Sequence, residues 1–531
     1  MNRKTSIFLI ARLAMALAIL PAIAFADEGE DSEVVYPHYE LSTAATYDLS
    51  EIKTYTGEHK VIYSYIDDHL ETHLGNLQRW VRQPSISAQN VGITEMAELL
   101  RDDLKAIGFS ETRLVPTSGH PGVWGFYDAG APLTLLVYMM YDVQPVNPED
   151  WETPPFEGNL VDKKFGQVLM ARGATNQKGP ERAFLNAVDS IIRVTGTLPV
   201  NLMVLAEGEE ELGSPHFQEL VDEFEQRLVA ADGVLFPFNS QDLDGGLTML
   251  LGVKGIVYWE LESRGGEWGG PGRSEIHGSF KAIVDSPTQR LIEAIASMTS
   301  DDGNTILVPG YYDDVRPPTD EESMLINAMA GNWTGEEWKQ GFGLSKFIHG
   351  LEGRDALMRY FYDVTLNVDG IWSGYTGEGV KTILPHIATA KMDSRLPMGV
   401  DPDRQLERIR KHLDSKGFTD VEIRKLSGYP AAQTPVNAPL VQAAMGVFDK
   451  WATIEQVMPR IGGSAPFYQF TERLGLPMVF NGLGNGTGAH APNEYMLIHP
   501  AEGSKVAGLA DIEKSYVDLL FALAKTASSM Q

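Results

Sequence analysis

Three consecutive carboxylates, Glu209-Glu210-Glu211, follow the apolar run Val200 to Ala206 and precede Gly213-Ser214. A carboxylate placed there can take a proton from water or bind a cation. The ordinary reading of an acidic run is a solvated turn; the strand-like run before it and the Gly-Ser after it favour a site. Asp142 likewise follows a continuous apolar stretch, Leu133 to Met140, and Phe238-Asn239 ends a third. His490 stands in Ala489-His-Ala-Pro-Asn-Glu-Tyr495, where a satisfied loop histidine is the plain alternative to a ligand. Arg395, in Asp393-Ser-Arg-Leu-Pro397, carries a planar fork that suits a carboxylate, against the plain alternative of a surface ion pair.

Elements that alternate between two periodicities carry these residues. Glu95 to Ile107 has helical spacing and stops at Gly108; Leu133 to Met140 has the continuous apolar character of a buried strand. Arg182 to Val194 and Phe217 to Val229 read as helices, Val200 to Ala206 and Gly233 to Phe238 as strands. Such alternation predicts an α/β domain with a mainly parallel sheet, whose ligands gather beyond the carboxyl ends of the strands. Tyr141-Asp142, Glu207 to Glu211 and Phe238-Asn239 all fall at such ends. From about Gly255 the texture changes to that of an inserted α+β domain. Tyr258 to Leu261, Thr365 to Val368 and Ala388 to Asp393 are strand-like there, and Thr288 to Met298 and Asp403 to Leu413 helical. A helical stretch, Pro435 to Trp451, and a strand, Pro477 to Asn481, then return to the first domain.

Size and charge narrow the classes. A chain of 531 residues exceeds one ordinary core, so two globular units are expected. Residues 1–26 join a basic start, an apolar stretch from Ile7 to Ile23 interrupted at Arg12, and small residues at Ala24 and Ala26, the pattern of a secretory signal peptide. An acidic arm (27–63), a first part of the catalytic domain (64–254), the insert (255–427) and a second part (428–531) complete the organisation. No later apolar run is long enough to span a bilayer, and without cysteine there is no disulfide or lipid-anchored thiol. The expected location is periplasmic or secreted. A formal charge of −29 argues against nucleic acid as a partner and reads first as solubility.

Six motifs bring a family into view: Tyr141-Asp-Val-Gln-Pro145 with Asp150-Trp-Glu-Thr-Pro-Pro-Phe-Glu157; Arg172-Gly-Ala-Thr with Lys178-Gly-Pro180; Glu207-Gly-Glu-Glu-Glu-Leu-Gly-Ser214; Gly252-Val-Lys-Gly255; Gly370-Ile-Trp-Ser-Gly-Tyr-Thr-Gly377; and the His490 segment. In order and spacing they resemble the aminoacylase/carnosinase metallopeptidase family, in particular its carnosine-dipeptidase-like branch, from about residue 65 to the C-terminus. The resemblance implies a zinc-peptidase-like catalytic domain with an inserted lid and dimerisation domain, and a homodimer. It also implies five ligands to two zinc ions, a pair that polarises a carbonyl and generates hydroxide. Glu211 and His490 match two of those positions. The bridging aspartate falls on Asn176, and the other two ligands fall on Met140 and Phe238. A thioether is a poor zinc ligand and a phenyl ring is none. One zinc or none is therefore expected, with a two-metal centre disfavoured.

The resemblance further assigns Glu210 as general base and His277, in Glu275-Ile-His-Gly-Ser279, as an oxyanion donor reaching into the partner's site. The family order there is His-Ser-Gly, and this chain departs from it. Asn367, Arg395, Gly463 and Ser464 match substrate-binding positions. Asp142, which in the family orients the histidine that Met140 replaces, is either an inherited acceptor or a catalytic carboxyl paired with Glu210. Asn176-Gln177 matches a cis peptide of the family. The leading function is hydrolysis of amide bonds in small peptide-like or N-acyl amino acid substrates. A metal-independent acyl transfer, cyclisation or rearrangement and a non-catalytic binding role are the alternatives. Chelation and the Glu210→Gln variant discriminate among them.

Overall fold

The computed structural model describes residues 39–530. The signal-like segment and residues 27–38 of the arm lie outside them. Residues 39–59 carry only one short helical turn, and Tyr47, Leu49, Ile52 and Tyr55 pack on the main core.

The main sheet has six strands in the order Glu111–Val115, Gly122–Tyr127, Asn201–Glu207, Thr134–Met140, Gly233–Leu235, Met478–Val479. The last four run parallel, and the first two add an antiparallel edge. Thr134–Met140 shows why its sequence reads as one apolar run. Leu135, Val137 and Met139 enter the core on one face, and Leu136, Tyr138 and Met140 enter the core on the other. The first face is covered by helices Ile93–Ile107, Lys178–Thr195, Pro439–Trp451 and Leu509–Met530, the second by Phe217–Leu228. Helix Ile93–Ile107 ends at Gly108, whose φ of 118° is a left-handed value that glycine adopts readily.

A second sheet is wholly antiparallel, ordered Asn367–Ser373, Ile387–Leu396, Gly255–Arg264, Glu422–Tyr429. One face buries Val257, Trp259, Leu261, Ala390 and Met392 in a cluster shared with helices Pro287–Ser297 and Pro402–Ser415. The alternate positions Tyr258, Asp393 and Arg395 stand on the other face. Helices Asp320–Ala330, Glu336–Phe342 and Gly353–Tyr362 fill a stretch for which the periodicities predict no element. The first begins with a capping box: Thr319 Oγ1 accepts from Glu322 N at 3.2 Å, and Glu322 accepts from Thr319 N at 2.8 Å. Among the described residues no helix is long and apolar enough to cross a membrane.

Candidate active site

The carboxylate run folds as a one-turn 3₁₀ helix, Glu210–Leu212, directly after the strand that ends at Glu207. Gly208 is needed because a Cβ there would lie 2.4 Å from the Tyr141 ring. The run is not a solvated turn, since its three carboxylates have three different environments. Glu209 is buried and bonds His216 Nδ1 at 2.7 Å. Glu211 is held on three sides: it accepts from Asn176 Nδ2 at 2.7 Å and from Gln144 Nε2 at 2.8 Å, and His490 Nε2 lies 3.1 Å away. That bond to Glu211 holds the His490 pKa above its ordinary value. Glu210 has no hydrogen bond to its carboxylate among the described residues, and burial together with Glu211, Asp142, Glu207 and Glu181 pushes its pKa well up.

Asp142 is fully buried and fixes this turn from below. Its carboxylate accepts from the backbone N–H of Glu210 at 3.2 Å and of Glu211 at 3.1 Å, and from Ser87 Oγ at 2.7 Å. Burial lifts its pKa to about 7 against the pull of those donors. These contacts are those of an acceptor that positions Glu210 through the main chain. Glu207, taking hydrogen bonds from Tyr138 at 2.6 Å and Ser214 at 2.9 Å, is pushed to about 8 by burial.

Asn176 lies on a loop tied to the turn through its bond to Glu211, with a cis peptide to Gln177. Glu494 organises that loop. One buried carboxylate takes the backbone N–H groups of Gly173, Thr175 and Asn176 at 2.9–3.0 Å and the Arg172 guanidinium at 2.7 Å. Glu494 and Gln144 both stand inside the motifs, and the motif pattern assigns neither a task. The sequence's own signal for the first is a carboxylate four residues after His490.

Met140 and Phe238 point the other way in chemistry. Met140 is 2% exposed within the apolar cluster of Tyr138, Phe217, Phe236 and Phe470, and Phe238 packs on that cluster. Among the described residues no three His, Cys, Asp or Glu side chains are grouped to hold a metal ion. Asn176 turns its N–H, a donor, towards Glu211. Two ionisable ligands, one neutral amide and an apolar wall do not fit a two-metal centre.

The four-stranded sheet supplies the second group of residues. Arg395 Nη1 donates to Ser464 Oγ at 3.0 Å, its Nε lies 3.3 Å from Asp393, and Ser464 in turn donates to Gly255 O. Asn367 Nδ2 donates to Asp393 at 3.0 Å and to Asp369 at 2.8 Å. Asp369 is raised to about 6 by burial and by Asp393. Gly463 offers its carbonyl to Lys254 N at 3.0 Å, and the neighbouring Gly462 N–H is taken by Tyr360. His277 is exposed and bonds Ser279 beside it and Thr382 next to the strand Ile383–Leu384 that pairs with Ile276–His277. Glu210, Glu211, Asp142, Asn176 and His490 thus form one cluster, and Arg395, Asn367, Ser464 and Gly463 another; His277 touches neither.

The sequence profile of Peptidase family M20/M25/M40 matches residues 136–506. The chain belongs to this family. Among curated M20 relatives, a Cys-Gly metallodipeptidase of Candida albicans is 28% identical over 86% of this chain and 96% of its own. The Beta-Ala-His dipeptidase of Homo sapiens is 27% identical over 66% of this chain and 71% of its own. Among solved structures, an M20 family metallo-carboxypeptidase from Sulfolobus solfataricus is 32% identical, with a TM-score of 0.75 over 85% of this chain and 98% of that one. Human carnosine dipeptidase 1, at 24% identity and a TM-score of 0.70, shares the fold over 88% of this chain and 99% of its own. The expected carnosinase-like branch and α/β zinc-peptidase scaffold agree with these matches. The chain is a peptidase-type amidohydrolase of the M20 family.

Proposed function

We propose that this M20 chain hydrolyses the amide bond of dipeptide-like or N-acyl amino acid substrates with Glu210 as general base and without a two-metal centre. One observation carries the reading. In a cluster where Asp142, Glu207, Glu209, Glu211 and Glu494 are all engaged by donors, the Glu210 carboxylate alone has no partner among the described residues. A raised pKa suits a group that takes a proton from water and returns it to the leaving amine. Arg395, braced by Asp393 and Ser464, is assigned the substrate carboxylate, which matches the small dipeptides named for the yeast and human relatives. Asp142 is assigned a positioning role, because its contacts reach Glu210 only through the backbone.

Glu210→Gln tests this directly. A base works only when deprotonated, so kcat/KM of the native enzyme is expected to climb with pH along a limb well above the ordinary glutamate range. The variant is expected to lose about 10³-fold in kcat while still binding substrate. Full activity in the variant removes the mechanism. The proposal also includes export and a homodimer in which His277 faces the partner's site. The dimer is supported by the exposed apolar residues Val368, Ile371 and Trp372 on the edge strand of the second sheet. Light scattering and mass spectrometry of protein recovered from periplasm or medium are expected to show a dimer of chains cleaved near Ala26. A monomeric mass removes the role of His277.

A further inference from the structure

The row of the sheet that carries Arg395 carries another polar side chain. Tyr429 closes the strand Glu422–Tyr429 and pairs with Ile256, which pairs on its other side with Arg395. Residues opposite one another across a ladder project to the same face. Tyr429 and Arg395 therefore share the face of Tyr258 and Asp393, away from the apolar face of Val257 and Trp259. That face meets the carboxylate turn. A Cβ on Gly213 would lie 3.6 Å from Ser427 Oγ, and Ser427 stands two residues before Tyr429 on the same side of the strand.

The Tyr429 ring is fixed by stacking on Tyr468, with centroids 5.9 Å apart and planes 9° from parallel. Among the described residues its hydroxyl has no hydrogen-bond partner, and it lies within electrostatic reach of Glu210 and Arg395 together. Burial first, then Glu210, holds the phenol above its ordinary value, so its proton stays on. A rigid ring thus carries an unused O–H on the sheet face that bears the guanidinium and meets the carboxylate turn. The family resemblance implies a cation pair that polarises the carbonyl, and here Met140 and Phe238 remove two of the positions that would hold it.

We propose that Tyr429 is a catalytic residue that donates its O–H to the oxygen of the scissile carbonyl and stabilises the oxyanion; this rests on the hydrolytic reading given above. Glu210 removes one proton from water, the remaining hydroxide oxygen bonds the carbonyl carbon, and the C=O π pair moves onto oxygen, where the phenol O–H meets it. On collapse that pair re-forms the carbonyl, the C–N bond breaks, and the amine nitrogen takes the proton held by Glu210. Tyr429 keeps its own proton throughout. A preorganised donor aimed at developing charge contributes about 10²–10³-fold in rate.

The test uses the full-length protein, a dipeptide panel and a phosphinate dipeptide that mimics the tetrahedral species. Tyr429→Phe keeps the ring and its stacking. It is expected to lower kcat about 100-fold with KM changed less than about threefold, and to weaken phosphinate binding by the same factor as kcat. Unchanged kcat, or a rise in KM alone, overturns the role of Tyr429 while leaving the hydrolase intact. Absence of turnover in the native protein with every dipeptide overturns both. Should the Phe variant fail to fold, a fluorinated tyrosine at 429, a stronger donor of the same shape, is expected to tighten phosphinate binding; equal affinity overturns the proposal.

Discussion

The two halves of the site are held in opposite ways. Beyond the parallel strands, carboxylates grip the main chain: Asp142 takes the N–H groups of Glu210 and Glu211, Glu494 takes those of Gly173, Thr175 and Asn176, and Glu181 takes that of Met140. On the antiparallel sheet, side chains grip side chains, as in Arg395 with Asp393 and Ser464 and in Asn367 with Asp393. A loop held by its backbone keeps its path when a side chain on it changes. This accounts for residues at 140 and 176 that depart from the family while the strand end and the loop bearing them keep their path. A face held by side chains has no such freedom, and there the matching residues are retained.

Glu494→Ala is the harshest way to break this comparison. Leaving buried Arg172 and three amide donors without their acceptor is expected to cost about 3–5 kcal/mol, read as a fall in the denaturation midpoint. A loss below about 1 kcal/mol would show that the loop does not depend on that clasp. Arg395→Lys probes the other half: it keeps the charge and loses the fork, so KM is expected to rise about tenfold with kcat little changed, measured by steady-state kinetics. An unaffected KM would put substrate recognition elsewhere. The gentlest test sharpens the contrast within the first half. Elemental analysis of native protein is expected to give at most one zinc per chain, and two tightly bound ions per chain would contradict the ligand argument.

Much of this was legible in the chain itself. The strands Thr134–Met140 and Asn201–Glu207 and the helix ending at Gly108 follow from burial on both faces and from a glycine stop. The cluster of Glu210, Glu211, Asp142, Asn176 and His490 followed from strand ends and motif order. The antiparallel edge of the main sheet did not, because alternation gives a strand's faces and not its direction. Helix Asp320–Ala330 lacks a clear apolar periodicity, and Thr319-Asp-Glu-Glu322, which spells its capping box, is its one local sign. Tyr429 was invisible for a different reason. Its nearness to Glu210 depends on the register between Gly255–Arg264 and Glu422–Tyr429, which no local pattern encodes.

Met140 sits in the apolar cluster beside the carboxylates and Phe238 packs against it, and that placement bears on the evolutionary history of the site. Reinstating an imidazole at 140 or a carboxylate at 238 by itself would bury a polar group among aromatic rings with no ion to receive it, which is costly in a dry interior. Each reversion makes sense only after the other has occurred. Descent from a zinc-dependent ancestor would therefore behave as a ratchet, easy to pass in one direction and closed in the other to any lineage that moves by single substitutions.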